Sequence, residues 1–284
     1  MLRSQPVAVL VLDFDGTMTD AEAEGLPFRA GYLDDLCVLV GRAPGDREIA
    51  ALADEVEAEI ARDPGAHPFE WLGRAVAPAC VDPYLRIVPV AQRILDRFGA
   101  LRDATDRSRL LGGVLYRHNY QRTVGTPVFR AGASDVLRTL AAAQAWIVTN
   151  SDTHDVASKL AAAGTAWPAA RVRGFARKFE IDDAWTTVPA ELAVPGLARP
   201  VLLRRRAYGE ILHAIVEAAG VSFAELVVVG DIFELDLALP LALGARVGRV
   251  TSPRTPAYER AFVAAHARGR LVDDVRDIPL LLSS

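Results

Sequence analysis

Val7-Ala8-Val9-Leu10-Val11-Leu12-Asp13-Phe14-Asp15-Gly16-Thr17-Met18-Thr19-Asp20 is the stretch that decides how this chain is read. Six apolar residues run without interruption into two carboxylates two positions apart, then into a glycine and a threonine. Such a run, bounded by a polar turn, predicts a strand buried on both faces, as in a parallel sheet with helices on either side. The acids then stand at its carboxyl end, where open α/β sheets bind their ligands. Asp-Gly after a strand is also an ordinary turn signal. The other strand ends decide between a site and a turn.

With 284 residues the chain exceeds the commonest domain size, so a core plus an insertion, or one larger domain, is expected. An apolar content of 51% is ample for a core, and a net charge of -4 gives no reason to expect nucleic acid or an anionic membrane surface as partner. Cys37 and Cys80 have no Cys-x-x-Cys spacing, which argues against a disulfide framework or a zinc site and for two buried thiols. The apolar run before Asp13 is too short for a signal peptide, and no stretch approaches the roughly 18 apolar residues of a membrane span. The expectation is a soluble cytoplasmic protein; the sequence is silent on its oligomeric state.

From 20 to 125 the pattern is helical throughout. Asp46 caps a helix carrying Ile49, Leu52, Ala53, Val56 and Ile60 on one face, and further helices are read over 25–40, around Ile94 to Phe98 and from Leu110 towards Tyr120. From Thr126 strands and helices alternate. Ala145 to Val148 reads as a strand ending at Thr149-Asn150-Ser151, followed by a helix capped by Thr153. Residues 171–176 and Pro200 to Leu203 are strand-like, and Leu226 to Gly230 is a second buried strand ending in Asp231. Ala245 to Val250 is another, followed by a helix that Pro256 opens and Gly269 closes. Alternation of this kind predicts an α/β fold with a doubly wound, Rossmann-like parallel sheet as core (1–19 and 126–284) and an inserted all-helical domain (20–125).

The strand ends carry complementary groups. Asp13 and Asp15 follow the first strand, Thr149 the second, Arg204, Arg205 and Arg206 a third, and Asp231 with Asp236 a fourth. Carboxylates for a magnesium ion, a hydroxyl and a cation for phosphate oxygens are the parts of a phosphoryl-transfer site, which works by positioning and charge neutralisation. Asp13 is placed to act as nucleophile and Asp15 as acid and base.

These motifs resemble those of the haloacid dehalogenase superfamily. Asp13-Phe14-Asp15-Gly16-Thr17 matches its first motif, Ile147-Val148-Thr149 with Asn150 its second, and Gly230-Asp231 with Asp236 its fourth. The resemblance covers about residues 5–19 and 126–284. It implies that Asp13 attacks phosphorus and binds Mg2+, that Asp15 is the acid/base and offers its backbone carbonyl to the metal, and that Thr149 and Asn150 bind the phosphoryl group. It also implies that Asp231 ligates the metal and that Asp236 supports it. Superfamily dehalogenases lack the second acid, so Asp15 favours a phosphate ester or anhydride.

The third motif departs from the family's lysine. Counting back 25 residues from Asp231 gives Arg206, with Arg205 beside it, as the phosphate-binding cation, and Lys178 is the rival. The insertion resembles the family's helical cap, and Arg29, Arg42, His67, Trp71, Arg117 and His118 are candidates for its pocket face, although each is commoner as core or as a solvated side chain. The reading is a Mg2+-dependent phosphatase of a small phosphorylated metabolite. The alternatives are a phosphomutase of the same superfamily and a non-enzymatic binding or regulatory module keeping the fold.

Overall fold

Burial on both faces is what the first strand shows. In the computed structural model, which describes residues 9–123 and 127–282, β1 (Val9–Leu12) sends Val9 and Val11 into one apolar cluster and Leu10 and Leu12 into another. All four side chains are removed from water, each contributing roughly 1.5–3 kcal/mol. Val7 and Ala8, the expected start of this strand, and the expected boundary at 125/126 lie outside the described residues.

The strands in chain order are β1, β2 (Pro68–Trp71), β3 (Arg74–Pro78), β4 (Ala145–Val148), β5 (Val172–Arg173), β6 (Glu191–Leu192), β7 (Val201–Leu202), β8 (Leu226–Gly230), β9 (Arg246–Val250) and β10 (Gly269–Val272). Six of them form one sheet in the order β10-β9-β8-β1-β4-β5, and its pairings are parallel. The chain grows outward from β1 through β4 to β5, then returns to the other side of β1 to add β8, β9 and β10. The connection therefore reverses between β1 and β8, the switch point at which open α/β sheets form their ligand crevice. Val9 to Leu12 pair in register with Leu226 to Val229, so Asp13 and Asp231 leave neighbouring strands at the same edge.

Several local expectations are corrected. The block from 20 to 125 is not all helix, because β2 and β3 form a two-stranded hairpin. Its two-residue turn, Leu72-Gly73, takes φ of 50° and 73°, the positive values that a tight hairpin needs. Residues 171–176 contribute only the two-residue β5. The strand expected at 200–203 exists as β7, but it pairs antiparallel with β6 outside the main sheet. Asp152, not Thr153, caps the helix Thr153–Ala162, accepting from His154 N at 2.6 Å. Pro256 precedes the helix Ala257–Ala265 as its cap, and Gly269 opens β10 instead of closing that helix.

The chain divides into two compact units. The larger takes Met1–Asp20, Glu70–Ala77 and Phe129–Ser284, and the smaller Ala21–Phe69 and Pro78–Val128. Most of the hairpin thus belongs to the larger unit. In the smaller one, Asp46 caps the helix Arg47–Arg62 by accepting from Glu48 N and Ile49 N, and Ile49, Ala53, Val56 and Ile60 form its buried face. Arg29 pairs there with Asp54 and Glu57, and Arg42 with Glu48. Arg117 donates to the Gly113 carbonyl, and His118 is exposed. No helix among the described residues is long and apolar enough to cross a membrane.

Candidate active site

Two strand ends bring the acids together. Asp13 follows β1 and is fixed by its own backbone, its N–H donating to the Val229 carbonyl at 2.8 Å. Gly16 has φ of 80°, and a Cβ there would come within 2.4 Å of Asp231 Oδ2, so only glycine lets the turn after β1 pass this close to the end of β8. Thr17 Oγ1 then lies 3.0 Å from Asp13 Oδ2 and 2.9 Å from Asp231 Oδ1, bridging the two carboxylates. Asp236 is carried on the wide, π-type helical turn Phe233–Leu237 and held by Ile232 N, which donates to its Oδ2 at 2.9 Å. Gly230 permits that return, because a Cβ there would sit 2.4 Å from Asp236 Cβ.

The cation of this cluster is Lys178. Its Nζ stands 2.7 Å from Asp13 Oδ1 and 2.8 Å from Asp236 Oδ1, buried from solvent. Burial lowers the lysine, but Asp13 and Asp236 more than offset this, so the ammonium is held above its ordinary value. Burial is also the largest influence on the Asp13 carboxyl and raises it well above the usual range; Lys178 opposes the rise, and Asp236 and Asp231 add to it.

Arg206 and Arg205 are corrected accordingly. Arg206 is on the surface, donating to Glu210 Oε1 at 2.7 Å and pairing with Asp182 at 3.5 Å. Arg205 is buried, but its guanidinium donates to the backbone carbonyls of Lys178, Val76 and Leu202. Burial pulls it down to about 10, and it remains charged at neutral pH. Arg204 donates to the Asp183 carbonyl at 2.8 Å. Each arginine of the run has acceptors elsewhere, and the rival cation holds the site.

The second acid stands apart from the first. Asp15 Oδ2 accepts from Ser151 Oγ at 2.5 Å and Oδ1 from Lys159 Nζ at 2.5 Å. Neither partner was singled out in the sequence. Ser151 carried a signal, following Thr149-Asn150 directly, whereas Lys159 lies two turns along the next helix with nothing to mark it. Thr149 is buried at the end of β4, its Oγ1 accepting from Ser151 N at 3.2 Å. Asn150, expected on the substrate, accepts from Lys178 N through its Oδ1 at 2.8 Å and so fixes the lysine's backbone.

Asp13, Asp231 and Asp236 offer carboxylate oxygens within 4.8 Å of one another. Three carboxylates converge on one point, and the donors are all oxygen. That is the complement of a hard divalent cation such as Mg2+. The Asp15 carboxylate is not among the three.

A family model described as haloacid dehalogenase-like hydrolase matches residues 7–244. No curated protein matches the chain. Among solved structures, the Bacillus subtilis HAD-hydrolase YfnB, in a magnesium-bound form, is 16% identical with a TM-score of 0.52, covering 99% of this chain and 100% of its own. A conserved haloacid dehalogenase-like protein of Agrobacterium tumefaciens is 16% identical with a TM-score of 0.54, covering 97% of each. A protein of Haemophilus somnus described as a predicted phosphoglycolate phosphatase is 11% identical with a TM-score of 0.52, covering 98% of each. These likenesses concern the fold. With the family model spanning most of the sequence, the chain belongs to the haloacid dehalogenase-like hydrolases.

Proposed function

We propose that this hydrolase is a Mg2+-dependent phosphatase of a small phosphorylated metabolite, working through an aspartyl-phosphate on Asp13. The observation that carries the reading is the division of labour between the two acids. Asp13 lies in the oxygen cluster with Lys178, Asp231 and Asp236, while Asp15 has separate partners in Ser151 and Lys159. A dehalogenase has no leaving alcohol to protonate, and an Asp15 held in this way would be idle in it.

Asp13, Asp231 and Asp236 would hold the metal, with the Asp15 backbone carbonyl as the family resemblance implies. A bound Mg2+ would supply charge neutralisation for the phosphoryl oxygens. Thr149 and Lys178 bind and orient the phosphoryl group. An Asp13 carboxylate oxygen attacks phosphorus, the bond from phosphorus to the ester oxygen breaks, and Asp15 gives its proton to the departing alkoxide. Asp15, now a carboxylate, takes a proton from a water molecule as that water attacks the aspartyl-phosphate. Inorganic phosphate leaves and Asp13 is regenerated. The inserted helical unit is assigned the choice of substrate on the family resemblance alone.

A panel of phosphorylated metabolites, assayed for phosphate release with the unaltered chain and Asp13→Asn side by side, tests the reading. We expect release from at least one member by the unaltered chain only. Phosphate retained on a rearranged product would make the protein a phosphomutase, and no turnover of any member would favour a binding module.

A further inference from the structure

The segment that presents Lys178 is strained. Phe175 and Arg177 have φ of 51° and 48°, in the left-handed region that non-glycine residues rarely adopt. Such backbone persists only where its surroundings over-determine it. One side is held by the end of β4, where Phe175 N donates to the Ser151 carbonyl and Ala176 N to the Thr149 carbonyl, each at 2.9 Å. The other side meets the β2–β3 hairpin. Arg205 forks between them, donating to the Lys178 carbonyl and, at 2.9 Å, to the Val76 carbonyl. Trp71 packs on Phe179 with ring centroids 4.6 Å apart, and Arg74 pairs with Asp183 at 2.7 Å.

Three contacts of different chemistry thus converge on residues 178–183. The hairpin lies outside the main sheet: β3 buries Val76 and Ala77, but its turn residue Leu72 is 88% exposed, and an isolated two-stranded hairpin is at best marginally stable in water. We infer that the β2–β3 hairpin is a positioning element of the catalytic unit, gripping residues 178–183 through Arg205, Trp71 and Arg74 and so setting where the Lys178 ammonium stands against Asp13 and Asp236. The inference rests on the phosphoryl-transfer reading. It makes Arg205, Trp71 and Arg74 positioning residues, acting through Lys178 and not on substrate.

The test is the affinity for orthovanadate in the presence of Mg2+, measured by calorimetry. Trp71→Ala and Arg74→Ala are the primary variants because both side chains are partly exposed; Arg205→Met is the buried counterpart. Combining Trp71→Ala with Arg74→Ala should weaken orthovanadate binding roughly five- to tenfold when Lys178 is present, and by less than about twofold in a Lys178→Ala background. A purely structural role predicts equal losses in both backgrounds, and that result, or no loss when Lys178 is present, overturns the inference alone. Absence of orthovanadate binding by the unaltered chain overturns the phosphoryl-transfer reading and the inference with it.

Discussion

The larger unit buries two sets of charges, built on opposite rules. Around Lys178 the ammonium bridges Asp13 and Asp236, and Asp231 adds a third carboxylate to the cluster. Close by in sequence, on the same helical turn as Asp236, Glu234 turns instead to Arg199, which donates to its two oxygens at 2.8 and 2.7 Å. Arg249 donates through Nε to Glu259 at 2.9 Å, both side chains wholly buried. The second set is two arginines paired with two glutamates. Paired buried charges hold chain segments together and are costly to break, whereas carboxylate oxygens that converge on one point suit a cation.

Breaking the acid cluster should affect turnover most. Asp13→Asn is expected to reduce phosphate release at least a thousandfold, on the order seen when a nucleophile is removed. Its thermal midpoint in chelator should not fall, since one of three mutually repelling carboxylates is gone; a large drop would place Asp13 with the structural pairs. Withdrawing Mg2+ with a chelator should abolish turnover reversibly, and activity that survives chelation would contradict the cation reading of the acid cluster. Lys178→Ala should lower kcat/KM by roughly a hundredfold or more, as expected for a cation facing a charged transition state. Arg206→Ala should change it by less than about twofold, and the reverse ranking would restore the arginine run to the site. Breaking the paired set should show in stability: Arg249→Ala strands the Glu259 carboxylate and should cost about 3–5 kcal/mol in denaturant unfolding. A cost below about 1 kcal/mol would erase the contrast.

The two sets were not equally legible in the sequence. Asp13, Asp231 and Thr149 could be read because each directly follows an apolar strand, and parallel packing brings the ends of β1, β4 and β8 to one edge by local geometry alone. Asp236 follows from its spacing to Asp231. Lys178 could not be read in this way. Counting back from Asp231 fixes a cation only if the intervening connection has the usual length, but here residues 179–205 hold the extra β6–β7 pair, and the lysine lies 231-178 = 53 residues upstream. Arg205 was marked by its charge, yet its charge serves backbone carbonyls from segments 27 and 129 residues away, which no local pattern reports. The hairpin was hidden because Leu72-Gly73 lacks the asparagine or aspartate that usually announces such a turn. Arg199 with Glu234 and Arg249 with Glu259 were invisible for the same reason as Arg205: their partners meet only once the sheet is assembled.

The most direct test of the central claim is phosphate release from an aryl phosphate such as p-nitrophenyl phosphate with Mg2+, comparing the unaltered chain with Asp13→Asn at matched concentration. The account predicts steady release by the former and none above background by the latter. Equal release by both would contradict it.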